Sequence, residues 1–437
     1  MNKKSIKLLS LFSGIGSPEQ ALKNIGVDYE LVGFSEVNKF AIKSYCKVHD
    51  VSEDLSLGDI TKIDISSLPT DIDLITHGSP CQDFSIAGQQ KGGDKGTGTR
   101  SSLMWNTVDI VEHSKPKVVL WENVKNLLSK NHRHNFDGYL EVMEQLGYNN
   151  YYQVLNAKDY GIPQNRERVF TVSIRKDIDK GYVFPEPQEL TLRLKDILED
   201  EVDEKYYINK AWKYSTKDKH DVNEIAQIEG INYKAIRSIT DVNKVCRCLD
   251  TMGGGQREPK ILEPVKNENK INVLGNYMPS NHTASRVVDV NGICPTVMEN
   301  HGTVTAVAVP KDNYVLEPLI TETTNGYKVR VANKQGYQIA FEGDGIDLEQ
   351  PNSKTRRGRV QKQSVGTLNT SNNKAVVDNY RVRKLTPREC WRLMGFTDDQ
   401  FDKAAEACSN TQLYKQAGNS IVVNVLEEIF KNVSVIN

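Results

Sequence analysis

The sequence predicts an α/β protein: a doubly wound, mostly parallel sheet joined to a smaller β-rich domain. Three observations lead there. Short apolar, β-branched or aromatic runs alternate with helix-period segments through the first part of the chain. That alternation stops near Pro185 and Pro187, and a polar, Gly/Asn/Thr/Val-rich stretch with little helical periodicity follows. Helical signals return at "LTPRECWRLMGF" and run to the C-terminal residues.

The strand candidates are "IKLLSLF", "ELVGFSEV", "DLITHGS", "KVVLWENV", "YYQVLNA" and "RVFTVSI". Between the first two, Ser17 is the expected N-cap, with Pro18 at the first helical position, Gln20 closing a capping box and Gly26 ending the helix. Asn38 is expected to cap "KFAIKSYCKV", and Gly147 to stop "FDGYLEVMEQLGY". Near the end, Thr386 is the expected N-cap and Gly395 the stop, and "NTQLYKQAGNSIVVNVLEEIFKNV" reads as one amphipathic helix. In the middle, "VCRCLDTMGGGQREPKIL", "GICPTVMENHGTVTAV" and "SVGTLNTSNNKAVV" share a layout. They are either three hairpins presenting three loops on one face or unrelated hairpins of similar composition. The domains expected are 1–188 with 405–437, then 189–385, with 386–404 connecting them.

Composition narrows the classes. The 437 residues are 38% hydrophobic and 26% charged, which is ordinary globular usage and enough for a large core. A net charge of -1 gives no overall polyanion-binding character, so a nucleic-acid surface has to be a local patch. Seven irregularly spaced cysteines are not a disulfide framework and read as cytoplasmic. Cys246 and Cys248 form a C-x-C without a second pair or following histidines, so no zinc site is expected. Lys7 interrupts the apolar N-terminal run, and no stretch is long enough to span a bilayer.

"LLSLFSGIGSPEQAL" is a strand, a glycine turn and a helix. Gly14 and Gly16 allow backbone N–H groups to approach a ligand. Glu19 stands where a dinucleotide turn has its third glycine, and an acid there disfavours a pyrophosphate. Glu36 follows the second strand, at the place where a carboxylate suits ribose hydroxyls. Asp59, in "LGDI", suits an adenine amino group, with Ile60 against the ring. Each acid alone is as readily a solvated loop residue. In this order they suggest an adenosyl group without phosphates, such as S-adenosylmethionine.

Cys81 sits just past a strand end, where open α/β sheets bind ligands, and is held by Pro80. A lone cysteine is usually buried and inert, but this one has polar flanks. Glu122 in "WENV" reaches the same sheet edge. In "YGIPQNRERVF", Arg166 and Arg168 lie two apart and share one face of an extended segment.

With these blocks in place, the sequence resembles the DNA (cytosine-5)-methyltransferases of the bacterial and phage type. The resemblance rests on "LLSLFSGIGSPEQAL", "DLITHGSPCQDFS", "LWENV", "LNAKDYGIPQNRERVF", "KLTPRECWRLMGF" and "YKQAGNSIVVNVL". It covers residues 5–175 and 380–430; the middle matches only in kind, as a variable target-recognition region. It implies the S-adenosylmethionine-dependent methyltransferase fold, no metal, and methyl transfer to C5 of a flipped-out cytosine in duplex DNA. Cys81 would add to C6 as a thiolate. Glu122 would hold and protonate N3 from a partly apolar pocket that raises its pKa. Arg166 and Arg168 would hold the base O2, nearby backbone or Glu122. For the cofactor, Phe12 would stack on adenine, Val37 would lie beside Glu36, Pro80 would adjoin both ligands, and Asn419 would reach the cofactor carboxylate. Asn419 as a plain helix N-cap is the alternative.

The glycine-rich run from Ser85 to Arg100 is expected to close over DNA, with Lys91, Lys95 and Arg100 meeting phosphates. The basic segment Lys354, Arg356, Arg357, Arg359 and Lys362 is expected to track a backbone, and by resemblance Thr367–Leu368 lies near a target-strand phosphate. A monomer acting apart from any cognate restriction endonuclease is expected, in restriction-modification or phage self-protection. Two other readings are weighed: an RNA cytosine methyltransferase, disfavoured by the long middle region, and a non-catalytic DNA-binding regulator, disfavoured by intact Cys81, Glu122, Arg166 and Arg168.

Overall fold

The computed structural model describes residues 5–80, 100–208, 212–214, 224–228, 230–231, 233–252, 256–264, 273–276, 286–289, 306–308, 320–323, 326–341, 345–347, 359–361, 374–376, 380–434 and 436. All six strand candidates of the first part form one sheet. In chain order the elements are β1 (Ile6–Leu11), α1 (Ser17–Asn24), β2 (Tyr29–Ser35), α2 (Lys39–His49), β3 (Leu74–His77), α3 (Met104–Ser114), β4 (Val118–Val124), α4 (Arg133–Gln145), β5 (Tyr148–Asn156), the two-residue β6 (Gln164–Asn165) and β7 (Glu167–Arg175). The sheet order is β2-β1-β3-β4-β7-β5. Pairings from β2 across to β4 are parallel, and β7 enters antiparallel between β4 and β5.

Both faces of this sheet are buried, as its near-continuous apolar strands require. Ile6, Leu8, Leu74, Val118 and Leu120 pack with Ala21 and Leu22 of α1 into one core. Their neighbours Leu9, Leu11, Ile75, Val119 and Trp121 pack with Val108 and Val111 of α3 and Phe136 and Tyr139 of α4 into another. The alternation of strand side chains thus divides the core between two layers.

The packing separates two compact units, Met1–Leu262 with Val382–Asn437 and Glu263–Arg381. The sequence expectation ended the first domain at 188, but Leu194, Ile197, Cys246, Leu249 and Ile261 are buried in the first unit's core. The connecting role expected for 386–404 also meets a packed segment: Trp391, Leu393 and Met394 are fully buried there. In the second unit the described elements are strands, including the antiparallel set Ile320–Thr323, Gly326–Arg330 and Tyr337–Ala340. Among its described residues Val329, Val331, Ala340, Ile346 and Val360 form a buried cluster.

Local expectations fared unevenly. Asn38 caps α2 by accepting from the N–H groups of Phe40 and Ala41. Of the later helices, α5 is the single turn Lys234–Arg237, and α6 (Pro387–Arg392) starts in a Thr386–Glu389 capping box. Gly16, in the left-handed region, replaces Ser17 as the N-cap of α1, because the Ser17 hydroxyl is spent on Ile421 O (2.8 Å) and Ser420 Oγ (2.6 Å). The same contact explains a second correction. After α7 (Asp398–Ala405) the C-terminal stretch forms two helices, α8 (Asn410–Asn419) and α9 (Val423–Lys431), broken where Ser420–Ile421 docks on α1. The first expected hairpin is also not one: Cys246–Arg247 pairs with β6, while Lys260–Pro264 pairs with Ser238–Thr240 in another sheet. The other two fall largely outside the described residues. Arg359, expected to face phosphates, is 1% exposed.

One buried ion pair anchors the return of the chain to the first unit. The Arg383 guanidinium donates to both oxygens of Glu389 (2.8 and 2.9 Å), and both side chains are fully buried. Glu389 also accepts from the backbone of Thr386 and Glu199. Glu389→Leu strands a buried cation and two N–H donors. We expect it to lower unfolding free energy by about 3–5 kcal/mol in urea titrations, and Arg383→Met added to it to restore part of that loss.

Candidate active site

The carboxyl edge of the sheet gathers two groups of residues. The first surrounds the turn after β1. Phe12, Gly14 and Gly16 have φ of 53°, 57° and 81°, so three of five consecutive residues are left-handed, and Phe12 carries a side chain there at a cost. Such strain persists only where surroundings hold it. Ser13 N–H donates to Ser35 O (3.0 Å), and Gly14 N–H to Glu36 Oε2 (3.1 Å). At Gly16 a Cβ would lie 2.1 Å from His49 Nε2, and that imidazole donates to Ile15 O (2.9 Å). At Gly14 a Cβ would meet nothing within 4 Å, so the turn faces open space.

Glu36, expected to meet ribose, is also a strut. Its Oε1 accepts from Val37 N–H and Asn38 N–H, both at 2.8 Å, which leaves lone pairs on Oε2 for a hydroxyl. Beside it Val37 is 71% exposed. Leu57 N–H to Phe34 O and Ser35 Oγ to Gly58 O tie the next loop to β2 and bring Asp59 to the same edge. Asp59 caps a short turn; the N–H and hydroxyl of Thr61 hold its carboxyl below the ordinary range. Ile60 departs from its expected place against a ring: its side chain is 5% exposed and belongs to the core around α3. Glu19 departs too. It is fully buried, accepts from Tyr45 Oη (2.7 Å), and burial raises its pKa, so it supports the helix from inside and repels nothing at the turn.

The second group lies at the ends of β3, β4 and β7. Ser79 is fixed by Trp121 Nε1 donating to its Oγ (3.1 Å) and Asn123 Nδ2 donating to its carbonyl (3.2 Å). The half-buried Pro80 follows. Cys81, Ser85, Lys91 and Lys95 lie outside the described residues, as do Lys354, Arg356, Arg357, Lys362, Thr367 and Leu368. Of Arg100, which opens a short turn ahead of α3, only the backbone is described. Glu122 hangs over the segment leading to Cys81: a Cβ at Gly78 would lie 3.7 Å from Glu122 Oε2.

Phe170 stands opposite Glu122 in the β4–β7 ladder, so Arg168, two residues away, shares its face diagonally. Arg168 Nε meets Glu122 Oε1 at 3.0 Å, with side-chain exposures of 17% and 12%. The partly apolar pocket expected around Glu122 is thus closed by a guanidinium. Arg166 is 4% exposed and does not reach Glu122. It donates to Leu249 O (2.8 Å), Gly418 O (3.1 Å) and Ser420 O (2.7 Å), the backbone role among those expected of it. Burial, with repulsion from Arg168, lowers its pKa.

Asn419 is exposed on the last residue of α8, not at a helix start, and Ser17 ties the turn after it to α1 beside the glycine turn. Sequence reasoning missed Cys248 and Leu249, which lie at the arginines, and His49 and Tyr45, which lie under the turn. The C-x-C at Cys246 and Cys248 was visible, but metal spacing was the only meaning tested for it. Parallel pairing of Cys246 with Gln164 is what delivers it to the site.

A strained glycine turn followed by acidic residues, on a mostly parallel sheet with catalytic-type side chains at its carboxyl edge, defines a methyltransferase scaffold that implies S-adenosylmethionine as methyl donor. The fold is similar to the solved Dnmt2 methyltransferase of S. pombe, with a TM-score of 0.51 at 16% identity over 98% of this chain and 97% of that one. It is also similar to a Spodoptera frugiperda DNMT2 variant, with a TM-score of 0.54 at 15% identity over 99% of each. The chain belongs to the C-5 cytosine-specific DNA methylase family, whose pattern matches residues 6–435, and it is a DNA (cytosine-5)-methyltransferase. It is 36% identical to the orphan methyltransferase M.SPRI of Bacillus phage SPR, over 98% of this chain and 97% of the relative. It is 30% identical to the type II methyltransferase M2.ScrFI of Lactococcus lactis subsp. cremoris, over 98% of each. Among the described residues no helix is long and apolar enough to cross a membrane, and no metal-binding cluster occurs.

The glycine turn makes stability depend on pH. Burial pushes the His49 imidazole down to about 4, against about 6.5 in an unfolded chain. Unfolding therefore takes up a proton between those values. The stability that neutral His49 gives is complete above about 6.5 and is lost as pH falls through this window. His77, pushed down to about 3 by burial, acts in the same direction. Wild-type Tm is expected to fall between about pH 6.5 and 4, and His49→Gln, less stable at neutral pH, to fall less steeply. Gly16→Ala, which drives a methyl into His49 from a left-handed φ, should abolish saturable S-adenosylmethionine binding by calorimetry.

Proposed function

We propose that this chain methylates C5 of cytosine at specific sites in duplex DNA, through a transient covalent bond from Cys81, in a restriction-modification or phage self-protection setting. The observation that carries this reading is the Glu122–Arg168 pair, suspended over the fixed Ser79–Pro80 segment that leads into Cys81.

C5 and C6 are stacked inside a duplex, so the target base is rotated out, which costs a few kcal/mol offset by contacts made afterwards. Glu122, oriented by Arg168, holds ring N3 and shares a proton with it. The Cys81 thiolate forms a bond to C6, N3 takes the shared proton, and the ring electrons are pushed to C5. Once C5 carries the methyl released from the donor's sulfur, the C5 proton passes to a water molecule, the S–C6 bond breaks, the C5–C6 double bond returns and N3 gives its proton back to Glu122. Cys81 thereby regains its thiolate.

The residues around the glycine turn fit S-adenosylmethionine. The turn opens to free space at Gly14, Val37 presents an apolar surface, Glu36 keeps acceptor capacity, and carboxylates rather than cations stand at this edge. When bound, this group supplies an electrophilic methyl on a sulfonium. Phe12, Val37 and Pro80 would contact its adenosyl portion, Asp59 the adenine amino group, and Asn419 the amino-acid end. Sequence recognition is assigned to the second unit, Glu263–Arg381, with Arg356, Arg357 and Thr367 on phosphates, and the run from Ser85 to Arg100 closing over the duplex.

The purified protein is expected to form a denaturant-resistant conjugate with a duplex containing 5-fluorocytosine and to label plasmid from tritiated donor. Cys81→Ser should lose both. Glu122→Gln should lower the methylation rate by about 100-fold or more while leaving donor binding within a few-fold. Retained methylation by Cys81→Ser sinks the proposal. Bisulfite sequencing of an expressing host identifies the site.

A further inference from the structure

We propose that Cys248 is a positioning residue for methyl transfer: its sulfur lies between the guanidiniums of Arg166 and Arg168 and fixes Arg168 against Glu122. This rests on the catalytic reading of Glu122 above.

The geometry is specific. Cys248 Sγ is 3.6 Å from Arg166 Nη1 and 3.8 Å from Arg168 Nη2. Each nitrogen of the Arg168 guanidinium has its own acceptor: Nε faces Glu122 Oε1 (3.0 Å), Nη1 donates to Glu167 O (2.8 Å) and Nη2 points at the sulfur. A planar fork held at three points has one orientation, and Glu122 inherits it. Charge argues the same way. Two guanidiniums sit side by side and repel, and Glu122 neutralises one. Among the described residues the charged groups facing the sulfur are Arg166 and Arg168, with Glu122 behind Arg168, and the sulfur also lies 3.4 Å from Leu249 O. Burial alone would raise the Cys248 thiol, but the two guanidiniums outweigh it and hold it below its ordinary value.

The segment is held firmly enough to serve. Cys246 N–H donates to Pro163 O (2.8 Å) and Leu249 N–H to Gln164 Oε1 (3.2 Å). Cys246 and Arg247 run parallel to Gln164 and Asn165. On the other side a Cβ at Gly418 would lie 1.7 Å from Asp250 O. Cys248 is half-buried, so small reagents can reach it.

The test uses the full-length protein with Cys248→Ala, Cys248→Ser and Cys248→Asp, each checked by thermal melting. Ala and Ser are expected to lower single-turnover methylation about 10- to 100-fold with DNA and donor affinity kept, and Asp, which restores an anion, to recover most of the rate. A purely packing role predicts the reverse, with Ser near wild type and Asp worst, and that order overturns the proposal. In a Cys81→Ser background, iodoacetamide labelling of Cys248 followed by peptide mass spectrometry should be half-maximal well below the ~8.5 of a free thiol, and should shift upward in Arg168→Met. An ordinary profile also overturns the proposal. Failure here, with Cys81→Ser and Glu122→Gln still inactive, leaves the catalytic reading standing; methylation by Cys81→Ser removes the reading itself.

Discussion

The site depends on a buried cation. Arg166 is a guanidinium with almost no contact with water, and such a charge is tolerated only where its N–H groups are answered. For its two terminal nitrogens the answers come from the carbonyls of Leu249, Gly418 and Ser420, in two chain segments far apart in sequence, while its Nε has no partner among the described residues. One side chain thus joins the strand that carries Arg168, the Cys246–Met252 segment and the end of α8. The turn it holds at Ser420–Ile421 is the one Ser17 grips from α1, beside the glycine turn. The glycine turn and the Glu122–Arg168 pair are therefore joined through one hydrogen-bonded assembly. The break between α8 and α9 follows from it, because continuing the helix through Ser420 would bury the carbonyls that Arg166 and Ser17 require.

Strain at the glycine turn is a second constraint, and it is met locally. The left-handed backbone at Phe12 has no steric relief of its own, so neighbouring hydrogen bonds must hold it. Glu36 does so from one side with three backbone donors, and His49 from below. Both are charged or chargeable residues used as struts. Glu36 keeps capacity for a ligand because a carboxylate has more lone pairs than the turn consumes. His49 spends its Nε2 on Ile15 O, and its burial in the neutral form is what links the turn to pH.

Much of this was legible in the sequence, for identifiable reasons. Strands were readable because both faces of the sheet are buried, so apolar runs were long and unbroken. Glu122, Arg166 and Arg168 were readable because each sits at a strand end, and a strand has only two faces to choose from. Failures occurred where a side chain had a non-local option. Ser17 looks like an N-cap, but its hydroxyl found Ser420, some 400 residues away. Glu19 looked like a ligand-facing acid, but its neighbour in space is Tyr45. Ile60 was assigned to a ring, but the core around α3 takes it. The C-x-C containing Cys248 is visible locally, but its place beside the arginines comes from a parallel pairing between residues about eighty positions apart.

The two units differ in the buried residues described for each. Holding reacting groups to about half an ångström requires side chains locked by packing and by further hydrogen bonds. The first unit supplies this with two layers of buried residues on either side of a sheet. The second unit's described core is a handful of aliphatic residues among short strands. The chain leaves the first unit at Leu262 and re-enters at Val382, and each crossing is anchored just inside it. The outgoing crossing follows Cys246–Met252, which touches the arginines, and the incoming one is held by the buried Arg383–Glu389 pair. Arg168, which orients Glu122, and Arg166 and Ser17, which grip the end of α8 and the turn after it, all lie before the first crossing, so the returning segment docks on groups already placed by the first part of the chain.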